Sequence, residues 1–105
     1  MRVNFYGTYR LMTGIKLSEF EPIQGGTIRD LLQAVTARYP ALRDEMFDGQ
    51  GDLYPYIPLY INGRNPRLLE GGLNAPVKPE DVLSIFSPIS SGRINVEAAN
   101  QALTD

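Results

Sequence analysis

Apolar and polar residues alternate over two stretches near the start of the chain. Val3 and Phe5 alternate with Arg2, Asn4 and Tyr6, the two-residue period of a half-buried strand. Alternation resumes from Ile15 to Phe20, with Ile15, Leu17 and Phe20 as the apolar members. Gly7 and the Thr8–Gly14 stretch between them read as a turn, so the pattern predicts an N-terminal hairpin. The period then changes. Ile28, Leu31, Leu32, Val35 and Tyr39 recur at helical spacing and make one apolar stripe. Gly25-Gly26 interrupts the preceding pattern, Thr27 is a suitable N-cap, and Asp30 puts negative charge into the first turn. Pro40 disfavours helical geometry at Tyr39 and ends the helix.

A short turn over Ala41–Met46 and a loop over Asp48–Pro58, rich in Gly, Asp and Pro, are expected next. Leu59–Ile61 reads as a third strand, closed by the favoured tight turn Asn62-Gly63. Arg67–Leu69 reads as a short fourth strand, and Glu70–Pro79 as loop. Val82–Phe86 is the last strand, with Leu83 and Ile85 on one side and Val82, Ser84 and Phe86 on the other. A lone amphipathic helix and a lone sheet face each need a partner. The order therefore predicts an α+β chain: one main helix on a mixed, four- to five-stranded sheet, in the β-grasp (ubiquitin-like) arrangement. Residues 1–92 form that domain. Residues 93–105 change character, with Val96, Ala98, Ala99, Ala102 and Leu103 among polar residues, and read as a flexible or weakly helical extension.

Composition narrows the chemistry. The 105 residues suffice for one modest core. A net charge of −2 argues against nucleic-acid binding. Cysteine and histidine are both absent, which removes thiolate chemistry, the commonest metal ligand and the commonest general base. Asp44, Glu45 and Asp48 do not follow calcium-loop spacing, and Gly25-Gly26 lacks both the Walker lysine and the Rossmann glycine spacing. No catalytic residue, metal site or cofactor is expected, nor a stand-alone enzyme. No apolar run reaches a membrane span and Met1–Gly7 has no signal-peptide character, so a cytoplasmic location without membrane contact is expected.

The segment from Tyr60 to Pro88 carries a family likeness. It contains Tyr60-Ile61-Asn62-Gly63-Arg64, then Leu69-Glu70-Gly71-Gly72-Leu73, then Pro76-Val77-Lys78-Pro79-Glu80-Asp81 running into Val82–Pro88. With Gly26–Leu32 as the helix start and Tyr39–Arg43 as its end, the chain resembles the ubiquitin-like sulfur carriers of the MoaD/ThiS type. These are the molybdopterin-synthase small subunit and the thiamine-pathway carrier. The resemblance implies a carrier whose C-terminal glycine carboxylate is adenylated by an E1-like enzyme and converted to a thiocarboxylate. A synthase large subunit or another acceptor then receives the sulfur. It also implies docking through the outer sheet face, with Phe86, Tyr60, Pro88, Ile89 and Arg67 as the expected partner contacts.

Two departures bear on that chemistry. Aligning Pro88 and Ile89 with the family's last Pro and Val sets Ser91 and Gly92 on its terminal diglycine. The chain then continues for 13 residues, from Arg93 to Asp105. Activation would need removal of this extension by a processing peptidase cutting between Gly92 and Arg93. Ser90-Ser91-Gly92-Arg93 also has the composition of a linker. The alternative reading is a β-grasp module that no longer conjugates and docks on a partner through its outer sheet face. Arg64 and Arg67 could pair with acidic partner surfaces but are read first as solvated loop residues, and Tyr54-Pro55-Tyr56 suits either a partner contact or a fold over the core edge.

Overall fold

The computed structural model describes residues 1–21 and 25–88. The centre of the molecule is a parallel pair of strands. β1 (Arg2–Tyr6) runs beside β4 (Val82–Phe86) in unbroken register, from Arg2 opposite Val82 to Tyr6 opposite Phe86. β2 (Leu17–Glu19) adds antiparallel to β1, and β3 (Leu59–Ile61) antiparallel to β4. The sheet is therefore mixed and four-stranded, in the order β2-β1-β4-β3. Helix α2 (Ile28–Arg38) supplies the crossover that a parallel pair requires. This is the expected β-grasp architecture.

Alternation decides which side chains meet. Val3 and Phe5, Leu83 and Ile85, and Leu59 and Ile61 point to one face. They are buried in one cluster with Ile28, Leu31, Leu32 and Val35 of α2. Tyr39, just past the helix, sets its ring edge-on to Phe5 at 5.4 Å. The start of α2 is fixed by a reciprocal cap: the Asp30 N–H donates to Thr27 Oγ1 (3.2 Å), and the Thr27 N–H donates to Asp30 Oδ2 (3.0 Å). Pro40 then turns the chain through a 3-10 turn, Pro40–Leu42, into the short helix α3 (Arg43–Met46), where a plain turn was expected. Leu42 and Met46 are the reason, since both are fully buried.

Three further expectations are corrected. Thr8–Gly14 is not a turn but a short helix, α1 (Thr8–Thr13), closed by Gly14 at φ 73°. The helix exists because Tyr9 is driven into the core, where burial pushes its phenol above the ordinary value and keeps it protonated. The second strand is shorter than predicted and in the opposite phase. Ser18 and Phe20 are the buried residues, while Ile15 and Leu17 are exposed. A serine can point inward because its hydroxyl is satisfied: Arg38 donates to Ser18 Oγ at 3.1 Å and the Tyr39 hydroxyl donates to it at 3.0 Å. Lastly, Arg67–Leu69 forms no strand. Pro66–Leu68 is a 3-10 turn whose entry is capped by Asn65 Oδ1, which accepts from the Arg67 N–H at 3.0 Å. The sheet ends at the predicted Asn62-Gly63 turn, with φ of 52° and 81° at the two residues.

Because α2 packs Ile28, Leu31, Leu32 and Val35 into the core, its cap should show in global stability. Thr27→Ala is expected to lower the unfolding free energy by about 1 kcal/mol. For a domain of this size that moves the thermal midpoint down by roughly 4–8 °C, read by circular dichroism. An unchanged midpoint would mean that the cap contributes nothing.

Candidate functional site

The face of the sheet opposite α2 is built by the same alternation. Register sets Leu17, Asn4, Ser84 and Tyr60 in one row across all four strands. The neighbouring row holds Tyr6 beside Phe86. The Tyr6 and Phe86 rings stack at 4.4 Å with 8° between planes, and Tyr60 meets Phe86 edge-on at 5.8 Å. Arg10 lies over the other side of Tyr6, at 5.2 Å from the ring centroid, with its Nε–H donating to the Phe5 carbonyl at 3.0 Å.

Phe86 thus stands on the outer face, but not as an open aromatic: it is 5% exposed. It supports the half-buried rings of Tyr6 and Tyr60. Leu17, 36% exposed, extends apolar surface to the sheet edge. Tyr6 escaped the sequence reading as a site residue. Its parity put it on the outer face, but only the parallel register makes it a neighbour of Phe86. The exposed Arg2–Glu19 pair at 3.9 Å borders this face and contributes little, being screened by solvent.

The last strand leaves the sheet through Ser87 and Pro88 at the Tyr6–Phe86 end. The Ser87 N–H donates to the Tyr6 carbonyl at 3.4 Å, one residue beyond the strand. Its hydroxyl oxygen accepts from the Thr8 N–H at 2.8 Å. Pro88 is the last described residue here, so Ile89, Ser90, Ser91, Gly92 and Arg93 lie outside the described residues. Arg67 sits elsewhere. Its guanidinium donates to the Ile57 carbonyl at 2.9 Å and to the Tyr54 carbonyl at 3.2 Å, and burial lowers its pKa. Its charge is spent holding the loop on which Tyr54 and Tyr56 stack, 5.1 Å apart.

A cleft of about 490 Å³ lies beside α2 and α3, with Thr36, Ala37 and Phe47 in its wall and Arg43, Asp44 and Asp48 around it. Asp48 Oδ1 is already taken by the N–H groups of Gln50 (2.8 Å) and Asp52 (3.0 Å). Among the described residues no group of three acidic, His or Cys side chains is placed to hold a metal ion. No described helix is long and apolar enough to cross a membrane. What the arrangement offers is a surface and a strand that ends beside it.

Comparison with known proteins agrees with that geometry. The model of the ThiS family matches residues 3–92. Small archaeal modifier protein 3 of Haloferax volcanii is 26% identical over 92 residues, spanning 88% of this chain and 98% of the relative. The solution structure of small archaeal modifier protein 1 from Methanosarcina acetivorans superimposes with a TM-score of 0.70 at 30% identity, over 87% of this chain and 94% of that one. A chain of the BexX/CysO complex from Amycolatopsis orientalis superimposes with a TM-score of 0.69 at 27% identity, over 87% of this chain and 98% of the other.

The bonds of Arg67 give this part of the surface a direct test. Arg67→Ala removes the side-chain donor of the Ile57 carbonyl and one of the two donors that reach the Tyr54 carbonyl, at a cost of about 1–3 kcal/mol. Hydrogen exchange should speed up at Ile57, whose N–H donates to the Tyr54 carbonyl at 3.3 Å, with the α2 amides unaffected. Unaltered exchange there would return Arg67 to a solvated role.

Proposed function

The chain belongs to the ThiS family, and from that premise we propose that Gly92, freed of the residues behind it, is the site at which it carries sulfur. The fold and family are those of ubiquitin-like sulfur carriers, which are protein substrates of partner enzymes and not catalysts on their own. The proposal concerns the finer points: which residue is activated, how its carboxylate is exposed, and which surface the partners use.

One observation carries the choice of glycine. The family match ends on Gly92, although 13 residues follow it. A glycine carboxylate is the group the chemistry requires, and Gly92 becomes one when a peptidase hydrolyses the bond to Arg93. An E1-like enzyme would then let that carboxylate attack the α-phosphate of ATP, releasing pyrophosphate. Hydrosulfide would displace AMP from the acyl adenylate, forming the C–S bond as the C–O bond to AMP breaks, to leave the thiocarboxylate. The chain supplies no acid or base, which suits the absence of His and Cys. Partners would dock on the Tyr6–Phe86–Tyr60 face, with Pro88 and Ile89 leading into their active site. An apolar aromatic cluster on the uncovered side of a sheet supports this reading. So does the BexX/CysO complex, in which a protein of this fold is found with a partner. A cytoplasmic site of action follows from ATP-dependent activation.

A second reading is favoured by Ser91, which stands where the family has a glycine, and by the extension itself. In that reading the chain docks and is never activated. Truncation separates the two. The chain ending at Gly92 should be adenylated by the cognate E1-like enzyme, read as ATP–pyrophosphate exchange, whereas the chain ending at Asp105 should not. If neither reacts but the full chain binds a partner, the adaptor reading stands.

The docking face has its own probe. Tyr60→Ala should weaken partner binding roughly tenfold or more, measured by calorimetry, without unfolding the chain. Phe86→Asp is a poorer choice, because it also places a charge under two rings and would destabilise the sheet. Full affinity in Tyr60→Ala would remove this face from the interface.

A further inference from the structure

The point where the last strand leaves the sheet is held by a contact that neither the fold nor the core requires. Helix α1 begins at Gly7, which has no side chain to cap it, and no local side chain does so. The acceptor comes from 79 residues away: Ser87 Oγ takes the Thr8 N–H at 2.8 Å. Gly7 makes this possible twice over. Its backbone, at φ 66° and ψ −140°, lies in a region closed to residues with a Cβ. A Cβ built there would also fall 2.3 Å from Ser87 Oγ. The two residues are thus fitted to each other, glycine giving the space and serine filling it with an acceptor. Pro88 follows directly, fixing its own φ near about −65° and holding Ser87 extended.

We propose that the Gly7–Ser87 staple positions the reactive tail. It sets where, and in which direction, the arm carrying Gly92 departs from the docking face. The inference rests on the carrier reading and adds to it a pair of positioning residues. From Pro88 to Gly92 the arm has 5 residues and reaches at most roughly 18 Å when extended. For so short an arm, the volume its end explores depends on how firmly its root is held. A fixed root raises the effective concentration of the carboxylate in a partner's active site once the sheet face has docked. Docking and delivery then reside in different residues: Tyr6, Phe86 and Tyr60 determine binding, and Gly7 with Ser87 determines how productively the bound tail is presented.

The test uses Ser87→Ala, which keeps the backbone and deletes only the acceptor, with Gly7→Ala as the stronger perturbation. In the full chain, Ser87→Ala should speed hydrogen exchange of the Thr8 and Ser87 amides roughly tenfold and leave the amides of Val3 and Leu83 unchanged. The form ending at Gly92, verified as folded by the same exchange map, is then assayed with the E1-like enzyme. Ser87→Ala should lower kcat for adenylation about five- to tenfold at an unchanged KM, and Tyr60→Ala should do the reverse. Unaltered exchange at Thr8 would overturn the staple. An unaltered kcat, or a rise in KM alone, would overturn its positioning role. If the unsubstituted form ending at Gly92 is not adenylated at all, the carrier reading fails instead, a result visible before any variant is compared.

Discussion

Everything in this molecule depends on the parallel pairing of β1 with β4. A parallel pair cannot be joined by a tight turn, so the chain between must leave the sheet, and α2 covers one face as it does so. The register of the pair decides what stands together on both faces. It sets Phe5 beside Ile85 over the core and Tyr6 beside Phe86 on the uncovered side. One residue further it brings Gly7 against Ser87, and with them the start of α1 against the root of the tail. A slip by one residue would send Phe5 and Ile85 to opposite faces. The uncovered aromatic face and the exit of the last strand are therefore consequences of the same pairing that makes the core.

Much of this was legible because the residues involved obey simple periods. Val3, Phe5, Leu83 and Ile85 announce strands with one buried face, and Ile28 to Val35 announce the helix that covers it. Thr27 and Asp30 mark its start, and Asn62-Gly63 marks the turn after β3 because both residue types tolerate positive φ. These signals are local in sequence, and local energetics and tertiary packing agree on them. The family likeness then needed only the order of the motifs, and the match over residues 3–92 bears it out.

The misreadings came where long-range contacts overrule a local pattern. Ile15 and Leu17 look like the buried members of β2, yet Ser18 faces inward because Arg38 and Tyr39, 20 and 21 residues away, satisfy its hydroxyl. The stretch from Thr8 to Thr13 is too short to show a repeating helical stripe, and buried Tyr9 anchors it with Met12 packed partly against the core. Arg67 looked like a free surface charge, because nothing in its neighbourhood reveals that two carbonyls of a loop ten or more residues earlier lie within reach. The site was harder to read than the fold for the same reason. Tyr6 and Ser87 belong to it only through a register that no single segment contains.

Under the proposed carrier reading, Ser91 is the residue on which activation turns. A glycine in a reactive tail offers two different things: dihedrals at positive φ, and the absence of a Cβ where a channel is narrow. Serine surrenders the first almost entirely but remains at ease in extended backbone, and its side chain is among the smallest after alanine. A partner that threads the tail as an extended arm could accept Ser91, whereas one that requires a left-handed turn before Gly92 could not. The contact from the Thr8 N–H to Ser87 Oγ and the proline that follows hold Ser87 itself in extended backbone. Under the proposed carrier reading, the departure from the family's diglycine therefore bears on the shape of the activating enzyme's channel and not on the carboxylate that would be activated.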